Sequence, residues 1–180
     1  MLRLAVRAAF FDGSVFTEIV EQPEYMFRAL GVVVVAAVAF GLGIRTLIDV
    51  TVATDNPIDT NFRMFVAMST IITSWAVWTV LAWIIGSKLF LGSATYRGLL
   101  RALGLCYGPV VLWMFVNLPV GGPLLSMWAH IWIMMAGILA VQRTQNFAWW
   151  KAIISASIGW LWGLVIVPYI LVAPFLVQLA

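Results

Sequence analysis

The chain has 180 residues, of which 64% are hydrophobic and only 9% are charged, and its formal net charge is +3. A soluble domain is about half apolar and about a quarter charged, so this chain lacks the polar side chains that a water-exposed surface requires. The ten Lys and Arg residues are scattered singly, which argues against nucleic-acid binding. The long apolar runs lack the alternation of barrel strands, so they predict an all-α, polytopic transmembrane helical bundle.

Residues 1–28 predict short amphipathic helices ahead of the first span. Arg3 and Arg7 lie on one face of the first turns, and Asp12 can cap a second helix with an apolar stripe. We therefore expect one or two interfacial helices on the cytoplasmic membrane surface, followed by a transmembrane domain over 29–180. A cleaved signal peptide is the alternative, but the segment lacks a convincing small-residue cleavage pattern.

The first two spans are predicted from long apolar runs. Residues 29–48 match the length of a helix that crosses the hydrocarbon core at about 1.5 Å per residue. Residues 49–63 contain three aspartates and the pair Asn56-Pro57, which predict the longest extramembrane loop. The uncharged stretch 64–87 predicts the second span.

The third and fourth spans follow from a length argument. No charged residue occurs between Arg101 and Arg143, and those 41 residues as one helix would reach about 60 Å, twice the hydrocarbon thickness. The chain must therefore turn back, and the turn is predicted at Pro119 and Gly122. The two spans are predicted over 99–117 and 123–141.

The last part of the chain predicts a basic loop and a fifth span. Residues 142–151 are polar and basic, and their two tryptophans lie where an aromatic belt would meet the membrane surface. Residues 152–176 carry no ionisable side chain and predict the fifth span, bent at Pro168 and Pro174.

The basic residues set the predicted orientation, because short cytoplasmic loops retain Lys and Arg. With five spans and a cytoplasmic N-terminus, eight of the ten basic residues lie inside, and only Arg45 and Arg63 lie outside. We therefore expect the C-terminus outside.

The acidic residues limit the chemistry of the spans. All seven lie in the first 59 positions, and the final 121 residues have none. Proton relays and cation pathways generally need carboxylates inside the bundle, which argues against a cation transporter. Spans two to five also lack the residues for paired-carboxylate, Ser-His-Asp or zinc-hydrolase chemistry. We therefore predict that the protein is not an enzyme.

His130 is the candidate cofactor residue, and it lies mid-span between Trp128 and Trp132. A neutral imidazole there could ligate a haem or chlorophyll-type pigment. The structural interpretation is a hydrogen bond to another helix that helps to hold the bundle together. Because the structural role is the commoner one, we predict no cofactor and keep the pigment as the alternative.

Polar and basic residues near the predicted inner ends of the spans are candidate contacts for anionic lipid head groups or a partner protein. Arg97 and Arg101 share a helical face one turn apart, where their side chains can snorkel to the head groups. The candidate set comprises Tyr96, Arg97, Arg101, Arg143 and Lys151.

Small residues at helix-packing spacing predict a tight bundle. The packing candidates are Gly104 with Gly108 and Gly159 with Gly163, and the candidates for turns and bends are Pro109, Pro119, Gly122 and Pro168. The ten tryptophans are best explained as interfacial anchors.

An ordered series of residues begins at Ala94. It contains a Tyr before a basic amphipathic turn, a Gly and an aromatic followed by Pro, a Pro and Gly hairpin, a Trp in the fourth span and a Lys-Ala pair entering the fifth. This order resembles the Yip domain family of five-span membrane proteins, with the likeness covering about 12–176. The matching positions are Tyr96, Gly104, Tyr107, Pro109, Pro119, Gly122, Trp132 and Lys151.

The resemblance implies a function as well as a layout. Eukaryotic members are implicated in vesicle traffic, membrane shaping and binding of Rab-type GTPases through a long cytoplasmic N-terminal region. The arm here is only the segment 1–28, so the resemblance implies a bacterial inner-membrane version that acts as a scaffold, adaptor or membrane-organising factor. Its expected partners are lipids, other membrane proteins or a larger membrane complex.

Two other functions remain open from the residues. One is an accessory subunit of an energy-converting or photosynthetic complex, with a pigment at His130. The other is a transporter of a neutral or anionic solute, which rests on the bend predicted at Pro168.

Overall fold

The computed structural model describes residues 2–20, 22–51 and 57–171. Within these ranges the regular structure is helical and contains no strand, which confirms the all-α prediction. Five helices there are long and apolar enough to cross a membrane, so the chain is a multi-pass integral membrane protein. They cover Tyr25–Leu47, Thr60–Leu89, Tyr96–Phe115, Gly122–Gln145 and Trp149–Leu171.

The helices follow one another with short connections. The α-helices are α1 (Leu2–Ala9), α2 (Gly13–Val20), α3 (Tyr25–Thr51), α4 (Pro57–Ile84), α5 (Tyr96–Leu105), α6 (Gly122–Gln145) and α7 (Trp149–Trp160). Three irregular stretches extend them, namely π-helical turns at Ile85–Leu89 and Leu161–Ile166 and a 3₁₀-helix at Gly108–Phe115. The α4–α5 and α6–α7 connections meet at one end of the bundle. We call it the basic end, and it carries Lys88, Arg97, Arg143 and Lys151.

The predicted boundaries shift most between the first and second spans. The structure continues α3 to Thr51 and begins α4 at Pro57, so most of the loop predicted over 49–63 is helical. Pro57 suits a first helical position, because the N–H that it lacks would have no helical partner there. Residues 52–56, which include Asp55 of the predicted loop, lie outside the described residues.

The third span is not one continuous α-helix. α5 ends at Leu105, and after a two-residue turn the chain continues as the 3₁₀-helix Gly108–Phe115. Pro109 accounts for the change, because proline has no N–H for the α-helical hydrogen bond and its ring restricts the residue before it. A 3₁₀-helix rises about 2.0 Å per residue instead of about 1.5 Å, so this span crosses with fewer residues.

The fifth span stays helical through Pro168 as far as Leu171, the last described residue. Its irregularity comes before the proline, where Leu161–Ile166 form π-helical turns. Such turns depart locally from the regular hydrogen-bond ladder. Pro174 and the predicted end of the span at residue 176 lie outside the described residues.

The tightest packing surrounds Trp78 of α4. Its side chain is fully buried, and its Nε1 donates a hydrogen bond to the backbone oxygen of Ala156 at 2.9 Å. A Cβ atom at Gly137, Gly159 or Gly163 would lie 3.0 Å or less from an atom of Trp78. Glycine at these positions therefore lets α6 and α7 approach α4 around one indole ring.

The two N-terminal helices pack against the bundle. The apolar stripe of α2, including Phe16 and Ile19, is fully buried. At the end of α1, Nε1 of Trp132 donates a hydrogen bond to the backbone oxygen of Ala9 at 2.6 Å. Trp132 lies thirteen residues from Gln145 at the basic end, which is about 20 Å along α6. The end of α1 is therefore held near the middle of the bundle's height, which the amphipathic pattern did not indicate.

Candidate functional site

The frame of the basic end depends on Gln145, the last residue of α6. Its side-chain oxygen accepts a hydrogen bond from the backbone N–H of Ala94, with N and O 3.2 Å apart. Gly86 and Gly92 leave room for it, since a Cβ at either position would lie 2.2 Å from a Gln145 atom. The next residue, Asn146, ends α6 in the left-handed conformation that its short polar side chain tolerates. The two connections of the basic end are thus fixed to one another.

Lys151 lies among aromatic rings at this end. Its Nζ is 5.8 Å from the ring centroids of Phe90 and Phe147 and 5.7 Å from that of Trp150. A cation over aromatic rings is stabilised by about 0.5–1 kcal/mol at exposed sites. The cluster joins the α4–α5 connection to the start of α7. Its pairing of a cation with the amphipathic ring of Trp150 suits the membrane–water interface.

The other candidate contact residues at this end are mostly exposed. Lys88, Arg97 and Arg143 are exposed, and Tyr96 is half-buried at the start of α5. The Tyr96 ring lies edge-on to that of Trp83, with centroids 6.0 Å apart. Lys88, Arg97 and Arg143 therefore give the basic end three exposed positive charges.

Arg101 has a different role from the one predicted. The sequence predicts it beside Arg97 as a contact for lipid or partner, but the structure buries it to 6% exposure. Its Nε donates a hydrogen bond to the backbone oxygen of Ile19 at 3.0 Å. Because a buried guanidinium needs hydrogen-bond partners, this contact fastens the end of α2 to α5. Arg101 therefore positions the N-terminal helices.

A polar network outside the spanning helices closes the turn between α1 and α2. Arg7 donates hydrogen bonds to the carboxylate of Asp12 at 2.8 Å and to Ser14 Oγ at 2.9 Å, and its Nη1 lies 3.5 Å from a Glu18 oxygen. Asp12 also accepts a hydrogen bond from the backbone N–H of Ser14 at 3.1 Å and so caps α2, as predicted. The hydrogen bonds from Ser14 and Arg7 hold the pKa of the Asp12 carboxyl below its usual range.

His130 lines a small cavity inside the bundle, with Pro168 on another part of the wall. Its Nδ1 lies 2.9 Å from the backbone oxygen of Ser126, and because a carbonyl can only accept, the proton is assigned to Nδ1. This bond stays within α6, whereas the sequence predicts one to another helix. The rings of Trp113 and Trp160 stand edge-on, with centroids 5.4 Å and 6.4 Å away.

The size of this cavity tests the pigment alternative. Its volume is about 150 Å³. A cavity of that size holds a molecule as large as benzene, which is far smaller than a haem or chlorophyll macrocycle. The cavity beside His130 is therefore too small to enclose a haem or chlorophyll-type pigment.

The predicted packing glycines fall into two groups. Gly159 and Gly163 lie against the buried tryptophan of α4, and a Cβ at Gly104 would lie 3.0 Å from a side chain of α3. At Gly108 the nearest atom would be the backbone oxygen of Ala5 at 3.9 Å, which is an ordinary contact distance. Gly108 therefore lies at an ordinary contact distance from α1, and a side chain there would not clash with another helix.

The turn between the third and fourth spans lies where the sequence predicts it. Pro119 is exposed in the turn, and the backbone N–H of Gly122 donates to the oxygen of Leu118 at 2.9 Å. A Cβ at Gly122 would lie 1.9 Å from the backbone oxygen of Val116, so a side chain does not fit there. The glycine is required by close backbone approach.

Sequence reasoning missed three residues that organise the fold. Tryptophans are predicted as interfacial anchors, and Trp149, which is 55% exposed, fits that expectation. Trp78 is instead fully buried, Trp132 holds α1, and Gln145 ties two connections together. The glycine spacing in the fifth span was a usable signal for a large buried partner such as Trp78. Nothing in the sequence pairs Trp132 with α1.

Within the described ranges, no group of three or more His, Cys, Asp or Glu side chains is placed to hold a metal ion. Comparison with protein-family models, curated proteins and solved structures finds no match to this chain. The likeness to the Yip domain family thus rests on the order of residues in the sequence.

Proposed function

We propose that this integral membrane protein is a non-enzymatic scaffold or adaptor of the Yip type, which organises a bacterial inner membrane through its basic end. The observation that carries the proposal is the grouping of three exposed cations, Lys88, Arg97 and Arg143, with the aromatic-bound Lys151 on one end of the bundle. Such a surface recognises charge and needs no reacting group.

The position of this surface supports contact with the inner leaflet. Short loops that retain Lys and Arg lie on the cytoplasmic side, and anionic lipids there attract each nearby basic residue by about 1 kcal/mol. The basic end therefore faces the cytoplasm. The hydrogen bond between Gln145 and Ala94 fixes the two connections. The cations therefore keep a constant arrangement that a membrane protein partner can recognise.

The proposal is tested by placing a photo-crosslinking amino acid at Arg97 in intact cells. The matched position is Val120, which is 87% exposed at the opposite end of the bundle. We expect a defined set of protein adducts from position 97 that position 120 does not give. These adducts should fall several-fold when Lys88 and Arg143 are changed to Gln, because the attracting charges are removed.

Arg45→Gln supplies the charge control, since it removes one cation near the opposite end of α3. It should leave the adducts at position 97 unchanged. The same adducts from both positions, or adducts at position 97 that survive neutralisation of Lys88 and Arg143, would contradict an adaptor role for the basic end.

A further inference from the structure

An apolar groove lies between α1 and the bundle. Its volume is about 350 Å³, and its walls come from α1, α3, the 3₁₀-helix and Trp132. Ligand pockets in proteins usually measure about 300–1,000 Å³, so the groove is large enough for a ligand. Its lining is apolar throughout, with Val32 and Val35 on the α3 wall and Val111 and Leu112 on the 3₁₀ wall.

The groove opens toward lipid. Three of its lining residues are strongly exposed, namely Val6 at 45%, Val35 at 48% and Phe10 at 71%. Val35 follows Tyr25, the first residue of its span, by ten residues, which is about 15 Å along the helix. Since the hydrocarbon core is about 30 Å thick, the groove lies at the depth where the surrounding solvent consists of acyl chains.

Small residues and polar contacts keep the groove from closing. Ala5, Ala9 and Gly108 line it, and a Cβ at Gly108 would reach only the backbone oxygen of Ala5, 3.9 Å away. The end of α1 is held by the hydrogen bond from Trp132 to Ala9, two residues of the lining. An apolar space of this size next to lipid loses dispersion contacts unless a chain fills it.

A cation lies next to the groove on the side of the basic end. Arg28 precedes Val32 by four residues and so lies one helical turn away on the same face of α3. It is exposed, and its guanidinium lies 4.7 Å from the ring centroid of Tyr25. From there it can reach the phosphate of a phospholipid whose acyl chain enters the groove.

From this arrangement we propose that the groove binds one acyl chain of a membrane phospholipid, with the lipid phosphate at Arg28. The bound chain fills the space between α1, α3 and the 3₁₀-helix and completes the packing of α1. The site differs from the general lipid contact of the exposed helix faces, because it is bounded by a helix outside the five spans.

The test uses the full-length protein in vesicles of phosphatidylcholine and phosphatidylglycerol. The probe is a phosphatidylglycerol with a photoactivatable diazirine midway along one acyl chain, and mass spectrometry locates its adducts. We expect adducts to concentrate in α1 and in residues 108–112. Val35→Trp, which fills the groove, should lower the adducts in 108–112 at least fivefold.

Val34→Trp is the matched control. Val34 is 43% exposed, close to the 48% of Val35, but it lies outside the groove lining. It should leave the adducts unchanged. Ala5→Leu fills the groove from the α1 side and should lower the adducts as Val35→Trp does. Because it leaves α3 unchanged, a loss of adducts in this variant cannot come from local damage to α3.

The phosphate contact is tested with the same diazirine on phosphatidylcholine. The negative probe should label the groove several-fold more than the zwitterionic one, and Arg28→Gln should remove that preference. The proposal is overturned if groove residues are labelled no more than Val34, or if neither Val35→Trp nor Ala5→Leu lowers labelling. Equal labelling by the two probes in the native protein would overturn the assignment of the phosphate to Arg28.

Discussion

The two sides of this bundle are packed in opposite ways. On one side α4, α6 and α7 close around the fully buried Trp78, and the facing glycines leave no room for a Cβ. On the other side α1 crosses the bundle beside a groove of about 350 Å³, and a Cβ at Gly108 would lie an ordinary 3.9 Å from the backbone oxygen of Ala5. The packing around Trp78 is as close as in a protein interior, whereas the groove beside α1 leaves space for a guest molecule.

The side around Trp78 serves stability, whereas the side with the groove serves function. Glycines four residues apart occur in both the third and the fifth span, yet only the pair in the fifth span packs entirely against another helix. The tight side supplies a rigid scaffold. On the other side the N-terminal helices are attached by the buried apolar stripe of α2 and by hydrogen bonds from Trp132 to Ala9 and from Arg101 to Ile19. Substitutions on the two sides should therefore have effects of different size and reach.

The largest effect is expected from Trp78→Ala. Removing a fully buried indole leaves a cavity and leaves the backbone oxygen of Ala156 without its donor. The free energy of unfolding should therefore fall by about 3–5 kcal/mol. Thermal unfolding in mild detergent measures the loss. Trp149→Ala, at a site that is 55% exposed, should change stability by less than about 0.5 kcal/mol. Similar losses in the two variants would remove the basis for calling the Trp78 side the rigid one.

A pair of leucine substitutions compares the two sides directly. Gly159→Leu forces a Cβ to within 2.5 Å of Trp78, and overpacking of this kind costs about 1–3 kcal/mol. Ala5→Leu enters the groove, where space exists, and should cost less than about 0.5 kcal/mol. The same unfolding assay serves both variants. If Ala5→Leu is as damaging as Gly159→Leu, the groove is closed in the folded protein.

A more local effect is expected from Arg101→Gln. It removes the donor to the Ile19 oxygen, and a hydrogen bond from a charged group contributes about 1.5–3 kcal/mol. The loss should appear as faster hydrogen exchange in α2, with the five spans unaffected. Arg97→Gln, one turn away and exposed, is the control. Unchanged exchange in α2 would show that Arg101 does not hold that helix.

The smallest effect concerns pH. The pKa of Asp12 is lowered in the folded chain by hydrogen bonds from Ser14 and Arg7, so its carboxylate stabilises the α1–α2 turn above the ordinary pKa of about 4. That contribution is lost as pH falls through the lowered value. Relative to the intrinsic exchange rate at each pH, hydrogen exchange of α1 and α2 should rise below about pH 4, and Asp12→Asn should remove this dependence. A pH response that persists in Asp12→Asn must come from another group.

The sequence was sufficient for the features that depend on composition and length. Five spans, the turn at Pro119 and Gly122, and the Asp12 cap could all be predicted, because lipid exposure, helix length and turn chemistry are local properties. The pairing of helices could not be predicted from the sequence. Trp132 and Ala9 are far apart in sequence and share no pattern, and burial of Arg101 depends on where α2 docks. Glycine spacing likewise identifies a small surface without saying what fills it.

The depth of α1 in the membrane tests the account most directly. Spin labels can be placed at Val6→Cys, Val35→Cys and Leu91→Cys, because the native Cys106 is fully buried and should not react with the label. The depth of each label follows from its relative accessibility to oxygen and to a water-soluble nickel complex. We predict that the label at position 6 lies as deep as the one at position 35. A depth like that of position 91, in the exposed connection at the basic end, would mean that α1 rests on the membrane surface and that the lipid groove does not form.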